Sequence, residues 1–134
     1  MLQRIAISLL PLLTPLAAVA DGTPLTGEEF DALTRGRTLY FYSNGAAYGA
    51  ERYRDDREVT WTFLDGQCKD GHWYQDGPFI CFVYDELPDP QCWTFYNSGS
   101  GLRALFEGRD GETELYEAGD ASEPLYCVGP EVGV

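Results

Sequence analysis

From Thr38 onward, short aromatic and β-branched runs alternate with turn residues, and this punctuation constrains the fold more than any other feature of the chain. Asn44-Gly45, Asp65-Gly66, Asp76-Gly77 and Asp110-Gly111 stand between runs, and such dipeptides supply the positive φ values of tight hairpins. The runs are Thr38–Ser43, Gly49–Arg54, Glu58–Leu64, Gln67–Tyr74, Phe79–Tyr84, Gln91–Tyr96, Leu102–Glu107 and Glu112–Glu117. Strands joined by connections this short pair antiparallel with their sequence neighbours. The expected fold is therefore all-β in the main: an antiparallel meander of eight strands, rolled into a small up-and-down barrel or half-barrel.

Side-chain alternation orients parts of that meander. Val59, Trp61 and Phe63 share one face, with Thr60 and Thr62 on the other. Trp93 and Phe95 likewise lie opposite Cys92, Thr94 and Tyr96. The run Phe79–Tyr84 is apolar on both faces, as expected of a strand that is covered on both sides or has one face lining a pocket. Ahead of the meander, Leu25-Thr26-Gly27-Glu28-Glu29-Phe30 reads as a helix start. Thr26 is the N-cap, Glu29 closes a capping box, and Leu25 and Phe30 form a hydrophobic staple. Gly36 ends this short helix, whose apolar edge of Phe30 and Leu33 is expected to cover one end of the β core.

The first twenty residues order a basic side chain (Arg4), an apolar run (Ile5–Leu13) and a small-residue stretch (Ala17, Ala18, Val19, Ala20), the layout of a cleavable export signal. Pro11 and Pro15 interrupt the run, which is shorter than the roughly 20 apolar residues of a membrane span. The expected organisation is thus a signal peptide over 1–20 and one disulfide-stapled β domain over 21–134, in the periplasm or secreted. That domain has 114 residues and carries eight basic against 22 acidic side chains, a formal charge of −14. Such a surface disfavours nucleic acid and anionic membranes and favours solubility, with a basic protein or a cationic ligand as the partner it would attract.

Cys68, Cys81, Cys92 and Cys127 form an even set without a C-x-x-C motif, and with His72 as the lone histidine a zinc site is not expected. In an exported chain they read as two disulfides. Of the three connectivities, the loop between neighbouring strands at 85–90 favours Cys81 with Cys92, leaving Cys68 to hold the C-terminal tail through Cys127. Cys68 with Cys81, across the Asp76-Gly77 hairpin, is the alternative.

The segments Cys68-Lys69-Asp70-Gly71-His72-Trp73, Ile80-Cys81-Phe82-Val83-Tyr84 and Gln91-Cys92-Trp93-Thr94-Phe95 resemble small exported proteins of alphaproteobacteria classed as domains of unknown function. The ending from Cys127 to Val134 is similar to theirs. The resemblance implies a periplasmic or secreted location and a β-rich disulfide fold, and carries no functional residues. A looser likeness, on architecture alone, is to exported barrel inhibitors of proteases and lysozymes.

Catalytic signatures are sparse. His72 shares a face with Asp70 and Tyr74, half of an acid–base arrangement, but no G-x-S-x-G motif supplies a nucleophile and the cysteines are expected to be oxidised. The carboxylates at Asp55, Asp56 and Glu58 and at Asp85, Glu86 and Asp89 lack the EF-hand order, and no metal or other cofactor is expected. Aromatic side chains are more informative, because 3 Trp, 9 Tyr and 7 Phe exceed what one face of each strand can bury. Tyr42, Trp73, Tyr74, Tyr84, Trp93 and Tyr96 are the candidate ligand contacts. The reading is a non-enzymatic exported binding protein whose aromatic face and acidic rim suit a basic protein, an inhibitor of a cationic enzyme being one version. A lipocalin-like carrier of a small apolar ligand is the alternative, and a hydrolase using His72 the third.

Overall fold

The structure, a computed structural model, describes residue 11, residues 22–118 and residues 124–128. The export segment expected over 1–20 lies outside the described residues except for Pro11, as does the tail after Val128. A helix α1 (Gly27–Thr34) precedes eight strands: β1 (Thr38–Ser43), β2 (Ala46–Tyr53), β3 (Glu58–Thr62), β4 (Cys68–Asp76), β5 (Phe79–Tyr84), β6 (Gln91–Asn97), β7 (Leu102–Phe106) and β8 (Glu114–Glu117). Each strand pairs antiparallel with its sequence neighbours, and β8 returns to β1, so the sheet is a closed barrel rather than a half-barrel. Closure removes the two open edges that a meander would otherwise expose.

The seam is short. Among the described residues, Phe41 pairs with Glu117 and Tyr42 with Tyr116 across it, and Ala118 N–H donates to Tyr40 O at 2.8 Å. The Glu117 carboxylate reinforces this seam, accepting from the Leu102 backbone N–H at 2.7 Å and from the Arg37 guanidinium at 2.8 Å.

Strand limits differ from the sequence expectation where backbone geometry intervenes. Asn44 and Gly45, with φ of 51° and 77°, form a two-residue turn, so β2 begins at Ala46 rather than Gly49. The register then slips, Phe41 facing Gly49 and Tyr42 facing Ala47, which leaves Tyr48 as the extra residue of a β-bulge. Asp76 pairs with Phe79 and belongs to β4, which leaves Gly77-Pro78 as that turn.

The chain direction gives the barrel two unlike ends. At the first, α1 inserts Phe30, fully buried, among Tyr53, Trp73, Phe82 and Phe95, with ring centroids 4.5 to 6.3 Å away. The capping box forms as expected: Thr26 Oγ1 accepts from Glu29 N–H, and Glu29 Oε1 accepts from Thr26 N–H. Leu25 N–H donates to Phe95 O, Gly27 N–H to Gln75 Oε1, and Gly36 N–H to Tyr53 O, tying the helix region to β6, β4 and β2. The opposite end carries the β1–β2, β3–β4, β5–β6 and β7–β8 connections, and among the described residues no helix lies over it.

Both preferred disulfides are present. Cys81 and Cys92 lie directly opposite each other on paired strands, and Cys68 joins Cys127. Two disulfides fit folding in an oxidising compartment. The second holds a strap, residues 124–128, against the outside of the barrel. Tyr40, Ala50, Thr62 and Cys68 are successive partners across β1 to β4, and the strap is fastened at both ends of that row. Tyr40 Oη donates to Pro124 O at 3.3 Å, and Cys127 bonds Cys68. Between these fastenings Ala50 and Thr62, at 0 % and 2 % exposure, are buried although they point away from the barrel interior.

Candidate functional site

The interior between the two ends is not completely filled. A cavity of about 230 Å³ opens toward the end without the helix, and its wall is largely aromatic. The strands build this wall by simple alternation: Phe41 from β1, Tyr53 from β2, Trp61 from β3, Phe82 and Tyr84 from β5, Trp93 and Phe95 from β6. Phe82 and Phe95 also rest on Phe30, so the plugged end forms the floor.

Trp61 owes its position to a missing side chain. A Cβ on Gly49 would come within 2.2 Å of the Trp61 ring, so glycine at this inward position is what allows the indole to lie across β2. The bulge beside it brings Tyr48 to the same region. Tyr48, Trp61 and Phe63 form a cluster of edge-on and tilted rings with centroids 5.3 to 6.0 Å apart. Phe63 lies at the rim and is 55 % exposed, and Leu64 and Leu87 are exposed on the loops beside it.

A buried carboxyl group interrupts the aromatic wall. Glu51, on β2 between inward-facing Gly49 and Tyr53, is 1 % exposed. Its Oε1 accepts a hydrogen bond from Tyr84 Oη at 2.8 Å, whereas Oε2 has no partner among the described residues. Burial pushes the Glu51 carboxyl well above the usual carboxylate range, and the hydrogen bond from Tyr84 only partly opposes that. Burial together with the nearby Glu51 carboxyl also raises the Tyr53 and Tyr84 phenols. Lys69 and Gln91, each near the open end of its strand, complete the polar lining.

The six candidate contacts divide by strand face. Tyr84 and Trp93 line the cavity together. Trp73 is buried at the plugged end, between Phe30 and the Arg57 guanidinium, which sits 4.4 Å from its ring centroid. Tyr42 and Tyr74 are exposed on the outer face, and Tyr96 lies outside beneath Arg103. His72, Asp70 and Tyr74 share the outer face of β4, where Asp70 accepts from Thr60 Oγ1, away from the cavity. Glu51, Phe41, Trp61, Phe63, Phe82 and Phe95 are cavity residues that the candidate set lacked. For Trp61 and Phe63 the signal was available in the alternation of β3. For Glu51 it lay in its phase with Gly49 and Tyr53.

Such an arrangement can desolvate an apolar body and offer it a buried carboxyl as a directional partner. Among the described residues, no group of three or more His, Cys, Asp or Glu side chains converges as metal ligands. No protein-family model, curated protein or solved structure matches the chain, so what the cavity accepts has to be read from the side chains that line it.

Proposed function

We propose that this is an exported, non-enzymatic binding protein, periplasmic or secreted, that holds a small and largely apolar molecule inside its barrel, in the manner of a lipocalin-like carrier. The observation that carries this reading is the aromatic cavity of about 230 Å³, closed below by Phe30 and open above. A barrel stabilised by packing alone gains from filling such a space, because each missing contact costs dispersion energy and leaves apolar surface poorly covered. Keeping it unfilled while lining it with large rings suits a ligand. Trp61 and Trp93 in the wall give the test. Titration with a neutral lipophilic dye should alter tryptophan emission and saturate at one equivalent, and organic extraction of protein purified from its own source should release a bound compound. A flat titration together with an empty extract would rule out the carrier.

A second reading, binding of a basic exported protein at the open end, draws support from exposed Phe63, Leu64 and Leu87 beside acidic loops. It predicts a complex with a cationic secreted enzyme that weakens as salt rises and is lost in Phe63→Asp.

A further inference from the structure

We propose that the cavity takes an organic cation, a small aromatic or alicyclic ammonium whose N–H donates to Glu51 Oε2 while its apolar body packs among Trp61, Trp93 and Phe82. This inference rests on the carrier reading and narrows its ligand. Three observations converge on it. First, among the described residues the one carboxyl group in the wall, Glu51, is nearly inaccessible, with one oxygen satisfied by Tyr84 and the other without a partner. An unsatisfied buried oxygen is costly, and a donor arriving with the ligand removes that cost. Second, the surrounding groups are largely aromatic rings, whose faces attract cations more strongly once water is excluded. Third, the loops at the open end carry Asp65, Asp85, Glu86, Asp89, Asp110 and Glu112, while Glu107 is paired with Arg109. An acidic rim around a low-dielectric opening concentrates cations before they enter.

A neutral hydroxyl would also hydrogen-bond to the Glu51 carboxyl, but it would gain nothing from the rim and little from the aromatic rings. The ammonium is favoured because it supplies the charge that lets a buried carboxyl ionise. Besides Tyr84, the titratable groups facing this region are Tyr53 and Tyr48 on β2 and Lys69 on β4. Lys69 is near the open end, and the described contacts give it no bond to Glu51. Burial favours the protonated form of Glu51 in the empty barrel, and an incoming ammonium favours loss of that proton to solvent. Binding of the cation therefore strengthens as pH rises through the range in which the carboxyl would otherwise keep its proton.

The test uses the mature, disulfide-intact protein and three probes of similar shape: phenethylamine, phenethyl alcohol and ethylbenzene. Calorimetry at neutral pH should rank the amine at least about tenfold tighter than the alcohol. In buffers of different ionisation enthalpy it should show proton release for the amine and none for the alcohol. Glu51→Gln, close in shape, should remove the preference for the amine and keep binding of the alcohol. Tyr84→Phe should weaken the amine by less than Glu51→Gln does, and it serves as the second variant should the first fail to fold. Amine affinity equal to or below that of the alcohol would overturn the cation and leave the carrier standing. If all three probes and a neutral lipophilic dye fail to bind protein with native near-UV dichroism, both readings fall.

Discussion

The two ends of the barrel are made from the same materials and used in opposite ways. At the plugged end, Phe30 meets four aromatic side chains and the backbone on either side of it is anchored to three strands. At the open end, Tyr48, Trp61 and Phe63 contact one another but leave a space below and a ring in solvent above. Aromatic content therefore says little about a region's role. What separates the ends is whether another element arrives to complete the packing.

The sharpest way to break this comparison is to remove one ring from each end. Phe30→Ala should destabilise the protein by about 3–5 kcal/mol in urea unfolding, the range for a large aromatic deleted from a packed core. Trp61→Ala should cost less than about 2 kcal/mol while abolishing dye binding. Equal costs would mean that the open end is core rather than site. The next largest effect concerns the disulfides. Opening Cys68–Cys127 by a double serine substitution should cost about 2–4 kcal/mol. It should cost more than opening Cys81–Cys92, since the sequence separations are 59 and 11. Thermal melts of the two double variants would decide the order.

Glu51 sharpens the comparison through pH. Its folded-state value lies above the usual 4.5, so the stability it contributes is complete below that pH and is lost as pH rises toward the folded value. Relative to Glu51→Gln, the wild type should lose stability above pH 4.5, the gap widening by at most about 1.4 kcal/mol per pH unit. A constant gap would place the carboxyl in water. The smallest expected effect is that of Thr26→Ala, which removes the capping box at the plugged end. About 1 kcal/mol of stability should be lost, with dye affinity unchanged.

Much of the architecture was legible in the chain because it rests on local chemistry. The capping box, the Asn44-Gly45 turn and the pairing of Cys81 with Cys92 each depend on residues close in sequence. Closure was not legible, since the short β1–β8 seam joins segments distant in the chain. The site was legible only in part. In runs that are aromatic on both faces, Tyr42 and Phe41 look equivalent, and only register with β2 and β8 sends one out and the other in. Glu51 was hidden by abundance, one carboxylate among 22 acidic residues. The bulge at Tyr48 further obscured the phase that would have turned it inward.

The fastening of the strap has a consequence for how the molecule breathes. The strap ties β1 to β4, by the Tyr40 hydrogen bond at one end and the Cys68–Cys127 disulfide at the other, and Cys81–Cys92 ties β5 to β6, whereas β7 and the four-residue β8 are held by backbone pairing and side-chain contacts such as Arg103 with Glu114. Opening fluctuations should concentrate on that untied quarter. In hydrogen exchange, the amides of Leu105 and Leu115 should lose protection well before those of Phe82 or Trp73. Because Leu115 also borders the cavity, a parting there would give a bound molecule a side door that bypasses the acidic rim.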